Sequence, residues 1–138
     1  MEQLILDTSV LIDIERGLTN LRDIGDLDDD VAIAAVTVAE FAVGVERAAA
    51  PEQAAARTHA LHTLMTHMRV LDYTRETAMH HARLLAAAAR EGRVRGPYDI
   101  IIAAHAAETG RILVTSDRKT AMETLPAVRT RLHRPTTP

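Results

Sequence analysis

Three aliphatic residues in a row, Ile112-Leu113-Val114, constrain this chain more than any other feature. A strand with one wet face alternates apolar and polar residues; a continuously apolar strand is covered on both faces, as in a parallel sheet flanked by helices. The residues just before it supply such a helix. Pro97 suits a first helical position, Asp99 falls in the first turn where its charge meets the positive end of the helix dipole, and Gly110 suits the stop. Thr115-Ser116-Asp117 closes the strand with polar groups. One carboxylate thus opens a helix and another closes the next strand. In a strand-helix-strand unit both project at the same edge of the sheet.

The same grammar repeats along the chain. Leu4-Ile5-Leu6 reads as a buried strand ending at Asp7, with Thr8 or Ser9 capping a helix that carries Val10, Leu11, Ile12 and Ile14 and stops at Gly17. A second short helix is expected over residues 18–24. Asp26-Leu27-Asp28-Asp29-Asp30 reads as a solvated turn, since it lacks the glycine and distal glutamate of a calcium loop. Val31-Ala32-Ile33-Ala34 is the next strand, and Thr37 and Glu40 have the spacing of a capping box opening a helix to about Ala49. Pro51 restarts a helix through Leu61, Leu64 and Met65. Met68-Arg69-Val70-Leu71 is a third strand, after which Thr74 caps an alanine-rich helix to Glu91, with Gly92 as its stop. Arg90, Arg93 and Arg95 make the following connection basic. Beyond Asp117 the expectation is a short helix over 118–123 and an alternating edge strand over Val128–Leu132, then a frayed tail from Arg134 to Pro138. With no repeat and no linker, residues 1–138 read as one α/β domain. Its expected form is a three-layer sandwich: a mainly parallel sheet of four or five strands with helices on both faces.

Composition narrows the classes of function. No apolar run reaches 18 residues and no charged segment precedes an apolar one at the N-terminus, so neither a membrane span nor a secretion signal is expected. The chain has no cysteine, which excludes disulfides and thiolate metal sites and accords with a cytoplasmic location. A net charge of −3 does not by itself suggest a nucleic-acid partner, which usually announces itself with a basic face. The only aromatic residues, Phe41, Tyr73 and Tyr98, are too few for a base-stacking platform. Nearly all the basic residues are arginine, fifteen against the single Lys119, which source nucleotide composition explains better than a need to grip phosphate does.

Four acids recur in equivalent places: Asp7 after the first strand, Glu40 in the helix start after the second, Asp99 at a helix start and Asp117 after the fourth strand. Each alone has an innocent reading as a cap or a complement to a helix dipole. Their convergence changes that, because the carboxyl ends of parallel strands and the facing helix starts form one crevice. Four carboxylates crowded there raise one another's pKa unless a cation holds them, and a hard divalent ion such as Mg²⁺ or Mn²⁺ suits all-oxygen ligands.

Four segments carry a resemblance to a known family. They are Asp7-Thr8-Ser9-Val10-Leu11-Ile12-Asp13, the run from Ala35 to Gly44 containing Glu40, Asp99-Ile100-Ile101-Ile102-Ala103-Ala104-His105-Ala106, and Leu113-Val114-Thr115-Ser116-Asp117. With their acids 33, 59 and 18 residues apart, they resemble the four acidic motifs of PIN-domain nucleases, above all the short toxins of VapBC toxin–antitoxin systems. Ser9 stands where many relatives have asparagine, and Thr115-Ser116-Asp117 is one of several variants of the last motif. The resemblance implies a PIN-like sandwich and a Mg²⁺-dependent endoribonuclease, with Mn²⁺ as a substitute ion. Asp7 and Asp99 would be the chief metal ligands, and Glu40 and Asp117 further ligands or water-positioning bases. Ser9 and Thr115 would bond the bound water or the phosphate, while Arg93, Arg95, Arg118 and Lys119 would grip the RNA backbone. It also implies a VapB-type antitoxin as partner, and the alanine-rich helices suit a homodimer or a groove for that antitoxin.

Two other readings compete with this one. A haloacid-dehalogenase-like phosphatase needs Asp-x-Asp after its first strand, and this chain has Asp7-Thr8-Ser9. A catalytically silent module, acting only by binding an antitoxin or RNA, is opposed by the presence of all four acids. The seven histidines, among them His59, His62, His67, His80 and His81, read as surface or core residues, and His105 as packed.

Overall fold

The computed structural model describes residues 1–135. Five parallel strands form one sheet: β1 (Gln3–Leu6), β2 (Asp30–Ala34), β3 (Arg69–Leu71), β4 (Ile112–Thr115) and β5 (Arg129–Leu132), in the order β3-β2-β1-β4-β5. Between them run α1 (Thr8–Glu15), α2 (Ala35–Glu46), α3 (Pro51–His67), α4 (Arg75–Glu91) and α5 (Pro97–Thr109). The expected strands and the five principal helices are all present.

The strands pack on both faces, as their unbroken apolar runs require. Leu4 and Leu6 join Val10, Leu11, Ile33, Phe41, Leu61, Leu64 and Val114 in one apolar cluster, while Ile5 joins Ala34, Leu84, Ile100, Ala103 and Leu113 in the other. The alternation of β1 across its two faces thus separates α1, α2 and α3 from α4 and α5. Fully burying one such side chain contributes roughly 1.5–3 kcal/mol, so with almost no aromatics the sandwich rests on many small increments.

Local signals fixed most of the boundaries. Thr74 caps α4 by accepting from the Thr77 backbone N–H at 3.3 Å, and Gly92 and Gly110 end α4 and α5 with φ of 70° and 72°, a left-handed conformation that costs glycine little. Pro97 occupies the first turn of α5 as expected.

Four expectations need correction. The helix expected over 18–24 is a single 3₁₀ turn, Leu21–Asp23, braced by Asn20. The one expected over 118–123 is a 3₁₀ turn at Met122–Thr124, entered through Ala121 at φ 44°. The extended N-cap of α1 is Asp7 itself, not Thr8 or Ser9. Helix α2 begins at Ala35, because β2 passes directly into it through Ala34; Thr37 is fully buried inside the helix and the capping box with Glu40 does not form. Of the tail from Arg134, residues 136–138 lie outside the described residues.

At the amino edge of the sheet, buried Arg111 binds both carboxylate oxygens of Asp30 at 3.2 Å each and donates to the Leu4 carbonyl at 3.1 Å. That guanidinium holds the Asp30 carboxyl below the usual carboxylate range. Asp30 is thus paired within the protein.

Candidate functional site

The strand order reverses direction at β1, whose neighbours are β2 on one side and β4 on the other. Chains leaving adjacent β1 and β4 diverge to opposite faces and open a crevice at their carboxyl ends. Asp7 follows β1 there, and Thr115, Ser116 and Asp117 close β4.

Asp7 is 8% exposed, and its Oδ2 accepts two hydroxyl donors, Thr115 Oγ1 at 2.7 Å and Ser9 Oγ at 2.9 Å. It holds the N-cap position of α1, but its side chain makes no capping bond there and is turned to the hydroxyls instead. Ser9 Oγ in turn accepts from the Ser116 backbone N–H at 3.2 Å, and Thr115 Oγ1 accepts from the Asp117 backbone N–H at 3.1 Å. Two hydroxyls therefore knit the first motif to the last. This is how the structure employs Ser9 and Thr115.

Glu40 lies in the second turn of α2, half-buried, and Oε1 accepts from Thr8 Oγ1 at 2.8 Å. Burial pushes its carboxyl up; the Thr8 bond opposes the shift and the charge of Asp7 adds to it. Thr8 is a site residue that sequence reasoning overlooked. Its only signal was a hydroxyl next to Asp7, and spacing did not say which of Thr8 and Ser9 would face which acid.

Asp99 stands in the first turn of α5. Among the described residues nothing donates a hydrogen bond to it, and its pKa is raised to about 6, first by burial and then by the charges of Asp7, Glu40 and Asp117. That shift is itself a record of convergence: three acids from distant sequence positions act on the fourth. Asp117 binds the Lys119 backbone N–H through Oδ1 at 2.9 Å. Each of the other three acids spends one oxygen on an anchor and leaves the second without a bond; Asp99 leaves both. Among the described residues none of the four is ion-paired.

This donor set fits a hard divalent cation. It consists of carboxylate oxygens flanked by hydroxyls, with no imidazole or thiolate, and no protein cation balances its charge. The turn acids Asp26, Asp28 and Asp29 approach one another more tightly, within 4.8 Å. They form a structural turn: Asp29 accepts from the backbone N–H groups of Glu2 and Asp26, both at 2.7 Å.

Two clefts border the site, Glu40 on the wall of one and Asp117 on the wall of the other. One is lined by Thr8, Ile12, Glu15, Glu40, Phe41 and Arg57 among others; the second, of about 400 Å³, by Thr115, Asp117, Arg118, Glu123, Thr130 and Leu132. Arg93, Arg118 and Lys119 are exposed, Arg118 on the wall of the second cleft. Arg95 needs correction. Its side chain is 1% exposed and its guanidinium donates to the carbonyls of Thr120 at 2.7 Å and Ala121 at 3.0 Å, so it braces the loop after Asp117 and is not free to grip RNA. His105 is buried, as expected, and His81 bonds Tyr73 at 2.8 Å.

A family model described as PIN domain matches residues 4–123. A Salmonella typhimurium protein named tRNA(fMet)-specific endonuclease VapC is 31% identical over 94% of this chain and 96% of its own length. A Haemophilus influenzae protein named Ribonuclease VapC2 is 30% identical over 85% of this chain and 88% of its own. Among solved structures, DNA-bound VapBC from Salmonella typhimurium superposes with a TM-score of 0.82 at 29% identity, covering 95% of this chain and 98% of that one. VapBC-5 from Mycobacterium tuberculosis gives 0.76 at 31%, covering 97% and 99%.

Proposed function

The chain belongs to the PIN domain family, as a ribonuclease of the VapC type, and from that premise we propose that it is a toxin whose four-carboxylate crevice hydrolyses RNA phosphodiester bonds with Mg²⁺. Mn²⁺ is the substitute ion. The observation that carries this reading is the convergence of Asp7, Glu40, Asp99 and Asp117 without a protein cation, each keeping at least one oxygen unbonded.

Asp7 and Asp99 would hold the ion, with Glu40 and Asp117 completing the set. Such an ion supplies Lewis-acid polarisation of the phosphodiester and a water acidic enough to attack at neutral pH. The protein's own contribution is orientation and proton transfer. Ser9 and Thr115 lock Oδ2 of Asp7, which fixes the direction of Oδ1. Thr8 locks Oε1 of Glu40, leaving Oε2 to take the proton of the attacking water, a role its raised pKa suits. Arg93, Arg118 and Lys119 draw the RNA backbone toward an otherwise anionic crevice.

A toxin of this kind requires an antitoxin, and the VapBC complexes it resembles support a VapB-type partner. Exposed Met79 and Leu85 beside the alanines of α4 support pairing with a second copy, which light scattering on the free toxin checks. Among the described residues no helix is long and apolar enough to cross a membrane, and we place the protein in the cytoplasm with its RNA substrate.

The test is incubation of the antitoxin-free protein with total cellular RNA in Mg²⁺, Mn²⁺ or EDTA, beside Asp7→Asn and Asp99→Asn. Discrete fragments that need the ion and vanish in both variants are expected. Metal-independent cleavage, or cleavage that survives in either variant, overturns the assignment.

A further inference from the structure

Asp99 accepts no hydrogen bond among the described residues, yet its carboxylate packs against Gly96, three residues earlier at the N-cap of α5. Oδ2 lies 2.9 Å, and Cγ 3.6 Å, from where a Cβ on Gly96 would stand. The backbone of Gly96, φ −61° and ψ 144°, is ordinary extended geometry that any residue adopts, so the chain does not need glycine for its dihedrals. Nor does helix capping call for it, since serine, threonine or aspartate would cap α5 at least as well. Gly44 offers a contrast: there the nearest atom to an added Cβ is 3.8 Å away, an ordinary contact.

We infer that Gly96 is a positioning residue for catalysis, whose missing side chain is the space into which the Asp99 carboxylate folds. The inference rests on the metal-site reading above. A Cβ at position 96 collides with the tip of one side chain and with nothing else within 4 Å. The cheapest relief is rotation of Asp99, so the damage falls on the direction of the carboxylate and spares the helix. Asp7 and Glu40 are aimed by donors; Asp99 is aimed by a void.

Gly96→Ala and Gly96→Ser, antitoxin-free, are titrated with Mn²⁺ by calorimetry beside wild type, Asp99→Asn and the double variant Gly96→Ala/Asp99→Asn. Melting is followed in EDTA. Both position-96 variants are expected to melt within a few degrees of wild type and to bind Mn²⁺ roughly 10- to 100-fold more weakly, as when a ligand's support is lost. Adding Gly96→Ala to Asp99→Asn should cost nothing further. Wild-type affinity in Gly96→Ala, with Asp99→Asn weakened, overturns the role of Gly96 and leaves the metal site standing. Failure of both variants to fold also overturns it, because the glycine then serves the fold. The metal-free crystal structure of Gly96→Ala decides the point without any ion, even if wild type binds no Mn²⁺ and the metal-site reading falls. A rotated Asp99 is expected, and a carboxylate in its wild-type place refutes the inference.

Discussion

Asp7 and Asp99 act on each other's charge across the carboxyl edge of the sheet, yet the protein holds them by different means. Asp7 is nearly buried, pinned through one oxygen by two hydroxyls that also bond the backbone after β4. Asp99 is half-buried and receives no hydrogen bond among the described residues; its pKa rises to about 6. One side of the crevice is pinned by hydrogen bonds, and the other keeps its charge poorly compensated. The difference teaches that a single site can divide its tasks, with pre-set geometry on one wall and unspent affinity on the other.

The largest test of that division concerns activity. Asp7→Asn and Asp99→Asn should each lower cleavage by about 10³-fold or more, the scale of losing several kcal/mol of charge stabilisation. A variant within tenfold of wild type would remove that acid from the site. Next comes the pinned wall: Thr115→Val deprives Asp7 of its shortest donor and should weaken Mn²⁺ binding roughly 10- to 100-fold. Unchanged affinity in the titration would mean the hydroxyls do not aim Asp7.

Thr8→Val extends the comparison to Glu40 and should cost less, about tenfold in kcat. Burial already raises the Glu40 carboxyl and the Thr8 bond opposes that rise, so removing the bond raises it further. The acid limb of the rate–pH profile should therefore move to higher pH; a fixed limb would assign that limb to another group.

The wall without donors makes a prediction about stability. Asp99 has a pKa of about 6 when folded, against an ordinary 3.8, so between these values the folded chain binds a proton that the unfolded chain has released. Stability of the metal-free protein should fall as pH rises through that window. Asp99→Asn removes the fall, giving a melting temperature a few degrees above wild type at pH 7 and equal to it at pH 4. Melting curves in EDTA at the two pH values check both signs. The smallest effect belongs to the rim: Arg93→Ala or Arg118→Ala should reduce kcat/KM only a few-fold and lower the salt dependence of RNA binding by about one phosphate contact.

Much of the framework was legible in the residues. Continuous apolar runs at Leu4–Leu6 and Leu113–Val114 announced strands covered on both faces, and Pro97, Gly92 and Gly110 marked helix ends whose chemistry is local. The four acids were legible as a recurring position, though what fixes their directions was not. The Thr37–Glu40 capping box failed because β2 runs straight into α2, leaving no free helix end at Thr37 to cap. Thr8 went unnoticed because adjacent helical positions point about 100° apart, and only the packing of α1 beside α2 turned one hydroxyl to Glu40 and the next to Asp7. Arg95 looked like a free cation because composition cannot show that its neighbours would include the bare carbonyls of the Thr120–Ala121 turn.

The pairing of Arg111 with Asp30 at the other edge carries a consequence for the sequence of events in solution. With Asp30 paired at the amino end, the four acids of the carboxyl edge stand without an ion pair among the described residues, at the mouth where an RNA phosphate would enter. On the proposed metal-site reading like charges would meet there until the crevice is filled, so ion and substrate would not bind in either order. Stripped of its ion the protein would be a poor receptor for RNA as well as a poor catalyst, and restoring the ion, not raising the RNA concentration, would recover both capacities.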